Sequence, residues 1–138
     1  MKNKPAFVLD SYALLAYYQN ESGGPRVKAV LAQVERQRAD AYLTIINYGE
    51  VIYILEREEG LTIAQDLIAV VDQLPITIVE ADRRLTFAAA HFKAHYSVSY
   101  ADAFAIALAQ QKQAILLTGD PEFRSVESLV SIEWLPTT

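Results

Sequence analysis

Asp102 and Asp120 stand at two turns of one stretch, Ser97 to Phe123 (SVSYADAFAIALAQQKQAILLTGDPEF). Ser99 reads as an N-cap, which predicts a helix from Tyr100 to Gln113 with Phe104, Ala107 and Leu108 facing a core. Ala114 to Leu117 has the short apolar character of a strand buried on both faces, and Thr118-Gly119-Asp120-Pro121 breaks it. Asp102 then lies in the first turn of a helix and Asp120 at the carboxyl end of a strand, the edge at which open α/β sheets bind ligands. Asp10 repeats the pattern, following the apolar run Ala6 to Leu9 and preceding a predicted helix, Tyr12 to Tyr18. Glu50 is the fourth acid of interest. It is the only charge between Ala41 and Leu55, and a carboxylate desolvated among apolar residues needs a partner.

Gathered at one place, these acids have a specific chemical consequence. Two carboxylates about 4 Å apart repel by ~4 kcal/mol at an effective dielectric of 20, so three or four stay ionised together only with compensating positive charge. Mg²⁺ or Mn²⁺ supplies it, taking hard oxygen ligands and leaving room for water and the phosphate oxygens of a substrate. Hydrolysis of a phosphodiester is the chemistry that such a cluster serves. A structural reading competes. Ser99 to Asp102 fits a capping box, and Asp120 before Pro121 fits an N-cap with proline at the first helical position. Caps account for Asp10, Asp102 and Asp120, leaving Glu50 to discriminate between the two readings.

The elements that would position these residues alternate. Strands are expected at Ala6 to Leu9, Ala41 to Ile45, Ile76 to Val79 and Ala114 to Leu117, with a last edge strand at Ser131 to Leu135. Between them the patterns predict helices from Pro25 to about Ala39 and from Asn47 to Glu59, closed by Gly60. A helix opened by a capping box at Thr62 to Gln65 is expected to run to about Leu74, and another, entered at Glu80 or Asp82, to about His95. Short apolar strands separated by helices imply a three-layer α/β/α sandwich around a central, mostly parallel sheet with right-handed crossovers. On that layout Asp10 and Asp120 share one sheet edge, and Asp102 and Glu50 approach it from the first turns of their helices.

The 138 residues are enough for one domain, expected to span 1–138, and the 52% hydrophobic and 21% charged composition is that of a folded chain. With no cysteine, a metal must be held by oxygen or imidazole. The opening MKNKPAFVLD has too short an apolar run for a signal peptide, and no uncharged run approaches a membrane span, so a cytoplasmic location is expected. A net charge of −5 repels nucleic acid at long range, so a nucleic-acid substrate requires a local basic patch or bridging cations.

The segments FVLDSYALLAY, TIINYGEVIYIL, SYADAFAIALA and LLTGDPEF, in this order and spacing, resemble the PIN-domain ribonucleases, most closely the VapC-type toxins of toxin–antitoxin pairs. Nearly the whole chain takes part. The resemblance implies that Asp10, Glu50, Asp102 and Asp120 form the family's acidic quartet and are both catalytic and metal-binding, with Thr118 as the supporting hydroxyl two residues before the last acid. It further implies Mg²⁺ or Mn²⁺ as cofactor, RNA as substrate, a cognate antitoxin that binds the site region, and a homodimer. Tyr12 departs from the small polar residue common after the first acid and its neighbour, and is left outside the expected site.

Three other readings remain to be tested against structure. His91 and His95 have the four-residue spacing of metal ligands on a helix, but Phe92 stands where a zincin needs Glu. A phosphoacceptor receiver requires paired acids after the first strand and a lysine after a late one, and neither is present. A non-catalytic α/β interaction module would use the acids as caps alone. Five of the 8 tyrosines (Tyr12, Tyr17, Tyr18, Tyr48 and Tyr53) fall in the first and third helices, as core, interface or stacking residues.

Overall fold

The computed structural model describes residues 4–137, so residues 1–3 and 138 of the expected 1–138 span lie outside the description. Five short strands, Ala6–Leu9 (β1), Asp40–Thr44 (β2), Thr77–Val79 (β3), Ile115–Thr118 (β4) and Ile132–Trp134 (β5), form a sheet ordered β3-β2-β1-β4-β5, parallel throughout. Successive residues feed opposite cores, as the period of two requires. Phe7, Leu9, Ala41, Leu43 and Leu117 join one apolar cluster, while Val8 and Leu116 join the other.

Helices Ser11–Tyr18 (α1), Gly24–Glu35 (α2), Ile45–Glu59 (α3) and Leu61–Val71 (α4) contribute to the first cluster, and Arg83–His95 (α5) and Tyr100–Lys112 (α6) to the second. A 3₁₀ turn, Pro121–Val126, adds Phe123 and Val126 to the second. This is the expected three-layer sandwich.

Three local expectations are corrected. The second helix ends at Glu35, four residues early, because Gln37 takes a left-handed conformation (φ 61°) that turns the chain towards β2. Thr62 is inside α4 and caps nothing; Gly60, at φ 98°, both closes α3 and stands as the N-cap of α4, a backbone geometry that favours glycine. Finally, α6 has no solvent face along most of its length. Every residue from Asp102 to Ala109 is buried, because the helix is wedged between β1, β2 and β4 beneath it and α3 and α5 beside it. Its four alternating alanines, Ala103, Ala105, Ala107 and Ala109, permit that close approach on all sides.

The strand order determines where a ligand can sit. From β1 the chain crosses first to β2 and β3 on one side and later to β4 and β5 on the other, so the crevice at the carboxyl ends of β1 and β4 is the topological switch point.

Candidate functional site

Asp10 follows β1 and Asp120 lies two residues after β4, so both acids stand at the switch point. Asp10 is the N-cap of α1, and each of its two oxygens accepts a hydrogen bond. Oδ1 accepts from the Ala13 N–H at 2.8 Å, and Oδ2 accepts from the Thr118 hydroxyl. Thr118 Oγ1 in turn accepts from the Asp120 N–H at 3.0 Å, so one buried hydroxyl joins the two acidic turns. Asp120 caps the 3₁₀ turn through a 2.9 Å bond from the Glu122 N–H. The structural role foreseen for these two aspartates is therefore real, and it orients them.

Asp102 behaves differently. Ser99 Oγ accepts from the Asp102 N–H at 3.1 Å, which is half of a capping box, but the return bond from the Asp102 carboxylate to the Ser99 N–H is absent among the described residues. The carboxylate is turned to Asp120 instead. Oxygens of Asp102, Asp120 and Glu122 lie within 4.8 Å of one another, the only such group of three potential metal ligands among the described residues. None of the three, nor Asp10, forms an ion pair; those described are Lys4–Asp40, Arg26–Glu133 and Arg57–Glu58. Arg26 of α2 thus reaches across to Glu133 of β5.

The electrostatic consequences are large. Burial pushes the Asp10 carboxyl up to about 8, against the lowering effect of its hydrogen bonds from Thr118 and Ala13 and with the charges of Asp102 and Asp120 adding to the rise. Asp102 is raised to about 7, chiefly by burial and then by the charge of Asp120, against a lowering by the neighbouring Ser99 hydroxyl and with smaller rises from Glu50 and Glu122. Proton uptake replaces the missing positive charge. A set of hard oxygen donors, close together, partly buried and uncompensated, fits a divalent cation, whereas imidazole and thiolate are lacking.

Glu50 is placed less centrally than expected. Because α3 begins at Ile45, two residues before the predicted start, Glu50 is in its second turn. It is half-buried, has no hydrogen bond or ion pair among the described residues, and stays outside the close trio while adding its charge to Asp102. Glu122, in contrast, was not foreseen. The Asp-Pro-Glu spacing was the available signal, since a 3₁₀ turn capped by Asp120 returns the residue two later to the same side.

Beneath the acids lies a second feature that the sequence did not announce. Asn47, fully buried, accepts from Thr44 Oγ1 at 2.6 Å, and its amide nitrogen donates to Ser11 Oγ and to the Ala101 carbonyl, both at 3.2 Å. One side chain thereby ties together the starts of α1, α3 and α6, which carry or adjoin Asp10, Glu50 and Asp102. Replacing it leaves buried polar groups unpaired, so Asn47→Ala should cost roughly 2–3 kcal/mol in urea denaturation. A change below about 0.5 kcal/mol would show that the network holds nothing in place.

The histidines, Tyr18 and Tyr48 have other roles. His91 and His95 are exposed on α5, and His95 Nδ1 lies 3.0 Å from the His91 carbonyl; no carboxylate joins them in a close group of ligands. Tyr48 is buried with its hydroxyl at Ile68 and Asp72, and Tyr18 donates to Asp66 at 2.7 Å, so both fasten α4. Tyr12, set aside on sequence grounds, lies against the site: a Cβ on Gly119 would come within 2.4 Å of its ring.

The fold is thus an α/β sandwich whose parallel sheet carries acidic residues at its switch point. The profile of the PIN domain family matches residues 7–129, and the chain belongs to that family. Among solved structures it is similar in fold to VapBC2 from Rickettsia felis bound to a DNA fragment from their promoter (TM-score 0.75, 12% identity, covering 95% of this chain and 99% of that one). It is also similar to the Mycobacterium tuberculosis VapC20, a sarcin-ricin loop cleaving toxin (0.71, 16%, 87% and 94%). A toxin–antitoxin complex from Klebsiella pneumoniae matches with a TM-score of 0.66 at 13% identity, over 95% of this chain and 98% of that one. No curated protein matches the sequence. No helix among the described residues is long and apolar enough to cross a membrane.

Proposed function

We propose that this chain is a metal-dependent endoribonuclease, the toxin of a type II toxin–antitoxin pair, acting in the cytoplasm as one nuclease domain over 1–138. The observation that carries the reading is the convergence of Asp102, Asp120 and Glu122 within 4.8 Å, with no cation paired to them, beside the buried Asp10. Family membership supports the nuclease chemistry, and the similarity in fold to toxins and toxin–antitoxin complexes supports the biological role and the antitoxin partner.

Asp102, Asp120 and Glu122 offer the free oxygens that would hold Mg²⁺ or Mn²⁺, with Asp10 and Glu50 completing the acidic site. A cation held there would supply the charge that keeps the acids ionised and the Lewis acidity that polarises a phosphoryl oxygen. Asp10, with each oxygen held by Thr118 or the α1 backbone, is a positioned carboxyl at the floor that would ionise once a cation offsets its burial. Thr118 keeps the Asp10 and Asp120 turns in register, and Asn47 does so for the helix starts. Hydrolysis adds water to phosphorus, breaks the P–O bond to the leaving oxygen and returns the proton to that oxygen.

The reading in which the acids are only caps is disfavoured by Asp102, whose carboxylate, among the described residues, makes no return bond to the Ser99 backbone N–H and lies instead with Asp120 and Glu122. The test is cleavage of a fluorescently labelled RNA by the purified chain in millimolar Mg²⁺ or Mn²⁺. Cleavage that falls by roughly a hundredfold or more with EDTA is expected. Cleavage unaffected by the chelator, or none in either metal, would overturn the assignment.

A further inference from the structure

Beside the acids, on the far side of Gly119 and Pro121, a groove of about 360 Å³ is lined by Tyr12, Arg124 and Trp134. Three features distinguish it from an incidental surface dip. Arg124 is exposed and, among the described residues, makes no ion pair, although three carboxylates lie within a few residues of it or across the same turn. Its guanidinium instead lies over the Trp134 ring, 5.3 Å from the centroid, and that ring is itself held by a 3.0 Å bond from Nε1 to Glu127. The opposite wall is the Tyr12 ring, seated on the Gly119 backbone so closely that any side chain at 119 would displace it. A flexible surface arginine left to itself would swing to the acids; this one is stacked on an aromatic face and kept free.

We infer that the groove between Tyr12, Arg124 and Trp134 is a nucleotide subsite, receiving the RNA residue next to the one whose phosphodiester lies at the acids. The inference rests on the nuclease reading and deepens it. Arg124 is the only charged residue lining the groove among the described residues, so it offers the local positive charge that a chain of net charge −5 needs to bind a phosphate backbone. Tyr12 supplies an aromatic face for a base, a contact tolerant of sequence because every base has one. Gly119 and Pro121 flank Asp120, so a strand entering the groove passes directly over the acidic turn. Gly119 is accordingly a positioning residue for Tyr12.

The probe is a labelled pool of random 12-nucleotide RNAs, titrated by fluorescence anisotropy in Ca²⁺, which occupies oxygen sites with looser geometry than Mg²⁺. Arg124→Ala should weaken binding roughly tenfold and lower the slope of log affinity against log salt by about 0.7, the increment for one phosphate contact on a single strand. Arg124→Lys, which keeps the charge, should restore the slope, an effect that a merely structural arginine would not produce. Tyr12→Leu should weaken binding by roughly tenfold with the slope unchanged, as loss of stacking does. If wild type binds and cleaves RNA while Arg124→Ala and Tyr12→Leu match it within twofold and in slope, the subsite is wrong and the nuclease reading stands. A wild type that neither binds nor cleaves RNA overturns both.

Discussion

Asp102→Asn is expected to reduce metal-dependent RNA cleavage by roughly a hundredfold or more while leaving the metal-free protein as stable as wild type or slightly more so. The two halves of this expectation have separate causes. The amide is close to the carboxyl in shape, and burial with the neighbouring Asp120 charge already holds Asp102 near neutrality, its carboxyl raised to about 7, so the fold loses little when the charge is removed. On the proposed metal site, the chemistry loses one ligand charge of the close trio. Asp120→Asn should behave alike, because an amide oxygen still accepts the bond from the Glu122 N–H, and caps of Asn and Asp differ by well under ~1 kcal/mol. Glu50→Gln, outside the close trio, should lose less activity than either. Measured by RNA cleavage alongside urea denaturation, an Asp102→Asn protein that unfolds would reveal a structural role, and one that cleaves at the wild-type rate would remove the residue from the site.

How far these residues were legible depended on the range of the interactions involved. Asp10 and Asp120 could be placed because strand ends, Asp-Pro and N-caps are local signals, and the layered fold followed from short apolar strands alternating with helices. The strand order was not legible, since nothing in four-residue strands encodes which neighbour each selects, and the switch point between β1 and β4 emerges only from that order. Glu50 was read as central because it is alone in an apolar segment. The start of α3 at Ile45 places it about half a turn further along the helix and outside the trio, since a shift of two residues rotates a side chain by roughly 200°. Asn47 was invisible for a related reason: its three partners lie on α1, β2 and the residue before Asp102, and only tertiary packing brings them together. Glu122 and Tyr12 depended on a 3₁₀ turn and on the absence of a side chain at Gly119, neither of which periodicity reports.

Without metal, the protein should be more stable at pH 5 than at pH 8. Asp10 and Asp102 titrate near 8 and 7 when folded but near the ordinary carboxyl value of 3.8 when unfolded. Between those limits the folded state binds more protons than the unfolded one, so their contribution is fully present below about pH 4 and is lost as the pH rises through 7 and 8. Each kcal/mol lost lowers the melting midpoint by roughly 3–5 °C for a chain of this size. In Asp102→Asn the dependence should flatten, since one of the two titrating groups is gone. A divalent cation reverses the trend, because it binds the deprotonated acids and competes with protons.

The melting midpoint at pH 8 with and without millimolar Mn²⁺, in wild type and in Asp102→Asn, tests the metal centre most directly. Occupancy at about 100 times the dissociation constant adds roughly 2.7 kcal/mol, so the wild-type midpoint should rise by on the order of 10 °C, with much of the gain missing at pH 5 and in the variant. A midpoint that stays where it is at pH 8, or rises equally in Asp102→Asn, would contradict a metal site built from these acids.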